Sequence, residues 1–142
     1  MPDMAQTFDV CIRGAGIVGR TLALLLARER LRVALVAPPQ PRSPQQKDVR
    51  AYALNHRSRQ LLESVRAWPG ESACSTVQEM IIHGDQADAV VRFRAADFGA
   101  DALAWVVDVP ALEQRLADAV GFQPGIQVLG EPAPAPLTIV CE

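Results

Sequence analysis

Cysteine, histidine and aromatic residues are scarce in this chain of 142 residues, and each shortage removes a class of chemistry. Cys11, Cys74 and Cys141 are odd in number and lack a short metal-ligand spacing, which speaks against a disulfide framework or a metal site. Cys11 and Cys141 stand in apolar runs, where cysteine packs as a small hydrophobe, and a reduced, cytoplasmic protein is the expectation. His56 and His83, the only histidines, are far apart and have no nucleophile or acid at a catalytic spacing. The longest apolar run, around Leu22–Ala27, is far too short to cross a bilayer. The opening residues MPDMAQTFDV lack a basic segment followed by an apolar one, so no signal peptide is expected and any membrane association would be peripheral. A net charge of −2 gives no reason to expect a nucleic-acid partner. One further absence is local: residues 33–39 read VALVAPP, and no acid follows until Asp48.

What is present suits a folded domain. The apolar share is 49% and the charged share 21%, ordinary for a globular chain that makes one domain over 1–142. Charge is unevenly spread, with eight basic and four acidic residues in 1–50 and an acidic excess in 51–142. That positive excess suits an anionic ligand or is dispersed surface charge, and the sequence leaves both readings open.

Periodicity gives the elements. Phe8–Ile12 reads as a strand, Ile17–Arg28 as a helix with Ile17, Val18, Leu22, Leu25 and Leu26 on its apolar stripe, and Arg32–Ala37 as a buried strand. Pro38–Lys47 carries four prolines and reads as a surface excursion. Asn55 is placed to cap a helix from His56 to about Arg66, with Leu61, Leu62 and Val65 inward and Trp68-Pro69-Gly70 ending it. Val77–His83 and Ala89–Arg94 read as strands joined by a turn at Gly84–Asp88, Pro110–Val120 as a helix, and Ile126–Leu129 and Leu137–Cys141 as strands. Tyr52, Trp68 and Trp105 are expected in the core. The predicted class is α/β: a Rossmann-like βαβ fold with a parallel sheet and a short antiparallel strand pair.

Chemistry concentrates in GAGIVG, residues 14–19. Gly14 permits the tight turn out of the first strand, Gly16 lets the backbone approach a pyrophosphate, and Gly19 lets helix and sheet pack closely. The helix end that follows offers free N–H groups to an anion. Strand before, amphipathic helix after and a second strand next supply the context that a glycine pattern alone lacks. Gly14, Ala15, Gly16, Ile17, Val18 and Gly19 are therefore the cofactor-binding candidates. Ala37 stands where such a site carries an acid for the ribose hydroxyl. Arg13, directly before the turn, either adds positive charge beside phosphates or pairs with an acid, and Arg20 reads as solvated.

The segments DVCIRGAGIVGRTLALLLA (9–27) and DVRAYALNHRSRQLLESVRAW (48–68), and more loosely AWVVDVPALEQRL (104–116), resemble flavin-dependent aromatic hydroxylases of the ubiquinone-biosynthesis type. The resemblance implies FAD as cofactor, NAD(P)H as transient reductant and an aromatic, quinone-precursor-like substrate. It also implies that Arg50 lies along the FAD pyrophosphate, a role suited to the bidentate guanidinium fork; otherwise Arg50 is a surface charge flanking a helix. The departures weaken the site: Ala37 replaces the family's acid, at a cost of about 1.5–3 kcal/mol for a charge-assisted hydrogen bond, and Pro110 replaces a frequent arginine. The family's second half, with its Asp-Gly element and most of the substrate pocket, has no counterpart here, although Glu142 falls where that acid would stand.

The expectation is an FAD-binding domain over 1–142, incomplete relative to the family and inactive alone, with residues 77–107 starting the substrate-side strands. Homo-oligomer formation, multi-enzyme association and a place at the inner membrane surface stay open. Two other readings remain: a non-catalytic binding or assembly module that keeps the fold, and an NAD-binding domain, which explains the glycines but not DVRAYAL.

Overall fold

The computed structural model describes residues 7–37, 39, 47–86 and 88–142. Its centre is a parallel sheet of four short strands: β1 (Val10–Arg13), β2 (Val33–Val36), β8 (Ile126–Leu129) and β9 (Leu137–Val140), in the order β8-β2-β1-β9. β1 pairs in register with β2 from Val10 opposite Val33 and with β9 from Val10 opposite Leu137. Helix α1 (Ile17–Arg28) connects β1 to β2, the βαβ unit expected from the sequence.

Between β2 and β8 the chain builds an antiparallel sheet, β3-β7-β4, from β3 (Ala51–Leu54), β4 (Cys74–Val77) and β7 (Ala104–Asp108), together with α2 (His56–Ser64). A separate hairpin pairs β5 (Glu79–His83) with β6 (Val90–Arg94), and α3 (Val109–Gly121) leads back to β8. Both helix starts have side-chain caps: Asn55 accepts from Ser58 N at 2.9 Å and Asp108 from Ala111 N at 3.1 Å.

One core joins the two sheets. Ile12, Val33 and Leu35 from the parallel strands meet Ala23 and Leu24 of α1, Leu112 and Leu116 of α3, Leu62 of α2, and Trp105 and Val107 of β7. On the opposite face of the parallel sheet, Cys11, Ala34 and Val36 are covered by Phe8, Leu129, Ala133 and Ala135. Arg59 sits between the indoles of Trp68 and Trp105, 4.9 and 4.7 Å from the ring centroids, and bonds Glu63 at 2.7 Å and Glu71 at 3.2 Å. These contacts fasten α2 to β7.

Several expectations change. β1 begins and ends later than Phe8–Ile12, because Arg13 still pairs with Val36 and Val140. The AYAL and AWVVD segments, which carry no element in the sequence analysis, are strands: each is a short apolar run without alternation, and each is fixed by pairing with the other. The expected Val77–His83 strand is two, interrupted at Gln78, whose carbonyl accepts from Ala95 N at 2.9 Å. α2 ends at Ser64, and Arg66 takes a left-handed φ of 59°, so the stop precedes Trp68-Pro69-Gly70. Val18 and Leu61 are exposed, while Leu24 carries the burial of α1. Trp105 is buried and Trp68 half-buried, but Tyr52 is exposed rather than in the core. The excursion at Pro38–Lys47 lies almost wholly outside the described residues, as does position 87 of the expected hairpin turn.

Candidate functional site

The turn after β1 is pinned between the ends of its neighbours. Gly14 N donates to Val36 O at 3.2 Å, and Cys141 N donates to Arg13 O at 2.7 Å. Gly14 has φ +105°, and a Cβ there would lie 2.7 Å from the Cys141 carbonyl carbon and oxygen. Only glycine meets both demands. A Cβ on Gly19 would overlap the Gly14 carbonyl oxygen, so the first turn of α1 rests directly on the glycine turn. Gly16 is the opposite case: a Cβ there would find nothing within 4 Å.

Gly16 is the N-cap of α1, with no side-chain capping bond and no acid in the first turn. The first helical bond runs from Arg20 N to Gly16 O at 3.0 Å. The N–H groups of Ile17, Val18 and Gly19 therefore come before any intrahelical acceptor, and the positive end of the helix dipole faces the open space beside Gly16. Ala15 is half-buried, Ile17 packs against the core, and Val18 is 67% exposed at this end. The six turn residues are thus brought together, and the open side of Gly16 is a cradle of the kind a phosphate fills.

Ala37 lies beside the turn, its N–H bonded to Leu129 O at 2.8 Å. Its methyl group supplies no acceptor for a ribose hydroxyl. The residues fit a pyrophosphate at the glycine turn and do not fit the usual ribose contact.

Arg50 precedes β3, and its backbone carbonyl accepts from Val109 N at 3.0 Å. Its guanidinium grips Asp48 with two bonds, Nε to Oδ1 at 2.9 Å and Nη2 to Oδ2 at 2.7 Å. Nη2 also reaches Glu113 Oε1 of α3 at 3.4 Å. The bond to Asp48 raises the Arg50 pKa above its ordinary value, with the charges of Asp48 and Glu113 adding to it and desolvation opposing. Arg20 of α1 donates to the Glu113 backbone carbonyl at 3.4 Å. Arg50 and the first part of α1 therefore meet at Glu113. Arg13 pairs with Glu142 at 3.5 Å, the acid-pairing alternative, and Arg20 contacts α3 rather than standing wholly in solvent.

The sequence reading missed the partners of Arg50. Asp48, two residues away, was legible as part of the same motif; Glu113, on α3, carried no local signal. Two surface cavities, of about 630 and 450 Å³, lie elsewhere: one is lined by His56, Arg59, Glu71 and Trp105, the other by Ala51, Cys74 and Asp108, and neither includes a glycine-turn residue.

No family model matches the chain. Among curated proteins, it is 29% identical over 138 residues to the ubiquinone biosynthesis monooxygenase COQ6, mitochondrial, of Drosophila melanogaster, covering 89% of this chain and 28% of that protein. Among solved structures, it superposes on pqsL, a probable FAD-dependent monooxygenase from Pseudomonas aeruginosa, with TM-score 0.64 and 19% identity, over 87% of this chain and 33% of the other. A geranylgeranyl bacteriochlorophyll reductase-like protein from Thermoplasma acidophilum gives TM-score 0.67 at 16% identity, over 94% and 38%. The chain spans about a third of the length of these relatives. In sequence and in fold, it is similar to the N-terminal part of FAD-dependent monooxygenases.

Proposed function

We propose that this chain is the FAD-binding part of a flavoprotein monooxygenase that uses NAD(P)H and O2 to hydroxylate an aromatic ring resembling a ubiquinone precursor. The observation that carries the proposal is the turn at Gly14–Gly19, wedged against Cys141 on one side and open at Gly16 over the uncapped start of α1. The N–H groups of Ile17, Val18 and Gly19 would take the pyrophosphate oxygens, with Arg50 adding its charge from the side of α3. Bound FAD would supply the redox and oxygen chemistry, while the protein binds, orients and shields it. Among the described residues no helix is long and apolar enough to cross a membrane. Attachment to a membrane surface or to a multi-enzyme assembly would place such an enzyme near an apolar substrate, and pairing of two copies is a further arrangement open to it.

A second reading has its own support. Ala37 offers no ribose contact, and Arg50 is already engaged by two carboxylates, as in a module that keeps the fold without binding the cofactor. Titrating the purified chain with FAD, and separately with NADH, by flavin fluorescence and heat distinguishes the two. Saturable FAD binding is expected; binding of neither ligand would mean that this chain keeps the fold without the function and would favour the second reading.

A further inference from the structure

The two carboxylates on Arg50 differ in how they are held. Asp48 belongs to the same segment, two residues away, and also accepts from Arg50 N at 3.1 Å, so it travels with the arginine. Glu113 comes from another element. Its neighbour Leu112 and the residue one turn on, Leu116, are fully buried, and its side chain is only 15% exposed. A carboxylate anchored in this way stays in place when an anion arrives. Arg50 is one of several polar contacts that Glu113 makes.

Arg20 approaches the Glu113 backbone carbonyl, and Arg50 is shared between the carboxylates of Asp48 and Glu113. A phosphate approaching Arg50 must share it with a negative charge at close range, which weakens the attraction through unfavourable Coulomb interaction.

We propose that Glu113 is a restraining residue of the phosphate site: its carboxylate competes with the incoming pyrophosphate for Arg50 and sets the affinity below what the glycine turn and arginine would give. This rests on the reading that Gly14–Gly19 and Arg50 take a pyrophosphate. Removing the charge while keeping the acceptor, as Glu113→Gln does, leaves the bond from Arg50 Nη2 available and lifts the repulsion.

The test uses the full chain as wild type, Glu113→Gln, Arg50→Gln and the double variant, each titrated with FAD, ADP and adenosine. Glu113→Gln is expected to bind FAD and ADP about tenfold more tightly than wild type. Adenosine, which carries no phosphate, should be unaffected. In the Arg50→Gln background the gain should largely vanish, and raising the salt concentration should shrink it in the single variant. Wild-type FAD binding with Glu113→Gln equal or weaker would overturn the restraint and leave the cofactor reading standing. A gain that survives intact in Arg50→Gln would also overturn it, because the competition would then not be for Arg50. Failure of all four proteins to bind either FAD or ADP would remove the cofactor reading and the restraint with it.

Discussion

Gly16 and Gly19 lie three residues apart, yet the structure assigns them opposite costs when a methyl group is added. At Gly19 the new Cβ would overlap the Gly14 carbonyl oxygen, backbone against backbone, with no flexible side chain to yield. Relief requires lifting the first turn of α1 from the sheet, where Ala23 and Leu24 are buried. An overlap of that kind puts Gly19→Ala at the severe end of point substitutions, about 4 kcal/mol. At about 3 °C per kcal/mol for a domain near this size, the midpoint should fall by about 12 °C. At Gly16 there is open space, and φ −79° suits alanine. The loss of a good N-cap residue and the stiffer unfolded chain roughly cancel, leaving a change within about 1 kcal/mol. The Gly16 methyl would nevertheless occupy the cradle over the α1 end, so FAD affinity should drop at least about tenfold. Thermal melts by circular dichroism and FAD titrations on both variants give the answer. Equal melting temperatures for the two variants would refute the packing argument. Wild-type FAD affinity in Gly16→Ala would refute the location of the cradle.

Two further outcomes follow from the same geometry. Ala37→Glu restores an acceptor at the end of β2 and is expected to tighten FAD binding about tenfold, by the size of a charge-assisted hydrogen bond; titration against wild type checks this, and no gain would mean the ribose lies elsewhere. The β5–β6 hairpin alternates so that Met80, Ile82, Val91 and Phe93 share one face, each between 38 and 53% exposed, while Glu79, Arg92 and Arg94 form ion pairs on the other. This exposed face is expected to drive self-association of the isolated chain, and Ile82→Lys to reduce it in sedimentation and light scattering with a melting change within about 0.5 kcal/mol; a monomeric wild type, or association unchanged by the substitution, would show that this face is not adhesive.

What could be read in advance depended on whether the deciding interaction was local. α1 and β8 have the boundaries that periodicity gave, because an amphipathic stripe and an apolar run announce themselves within a few residues. The capping role of Asn55 was visible for the same reason: its partner, Ser58 N, is three residues away. β3 and β7 were missed because their identity lies in pairing with each other, Ala51 opposite Asp108, over a long stretch of chain. Burial on α1 was misjudged at Val18 for a related reason. The residue belongs to an apolar stripe, but it stands on the turn nearest the open cradle, beyond the reach of the core that covers Leu24. The glycine turn itself was legible, and the structure adds what no spacing contains, namely that Gly14 and Gly19 answer to the backbone of Cys141 and to each other.

The positive excess in the first fifty residues shows why a charge count and a local field differ. Arg13 is paired with Glu142, Arg32 with Asp9, and Arg50 with Asp48 and Glu113. Arg28 reaches Ser64 on α2, and Arg20 is directed to a carbonyl of α3. These cations act mainly as fasteners between elements, so most of their field is spent at short range before it can draw an anion. Among the described residues the start of α1 stands apart from these pairs, its first turn having neither a side-chain cap nor an acid. The attraction for phosphate would then come chiefly from oriented peptide dipoles, where the helix end carries only about half a charge, so salt shifts the affinity less than it does through a full cation. Arginine contacts, by contrast, shift it strongly. A weak salt dependence of FAD binding in the wild type, becoming steeper in Glu113→Gln as the negative charge beside Arg50 is lost, would be the signature of that division of labour.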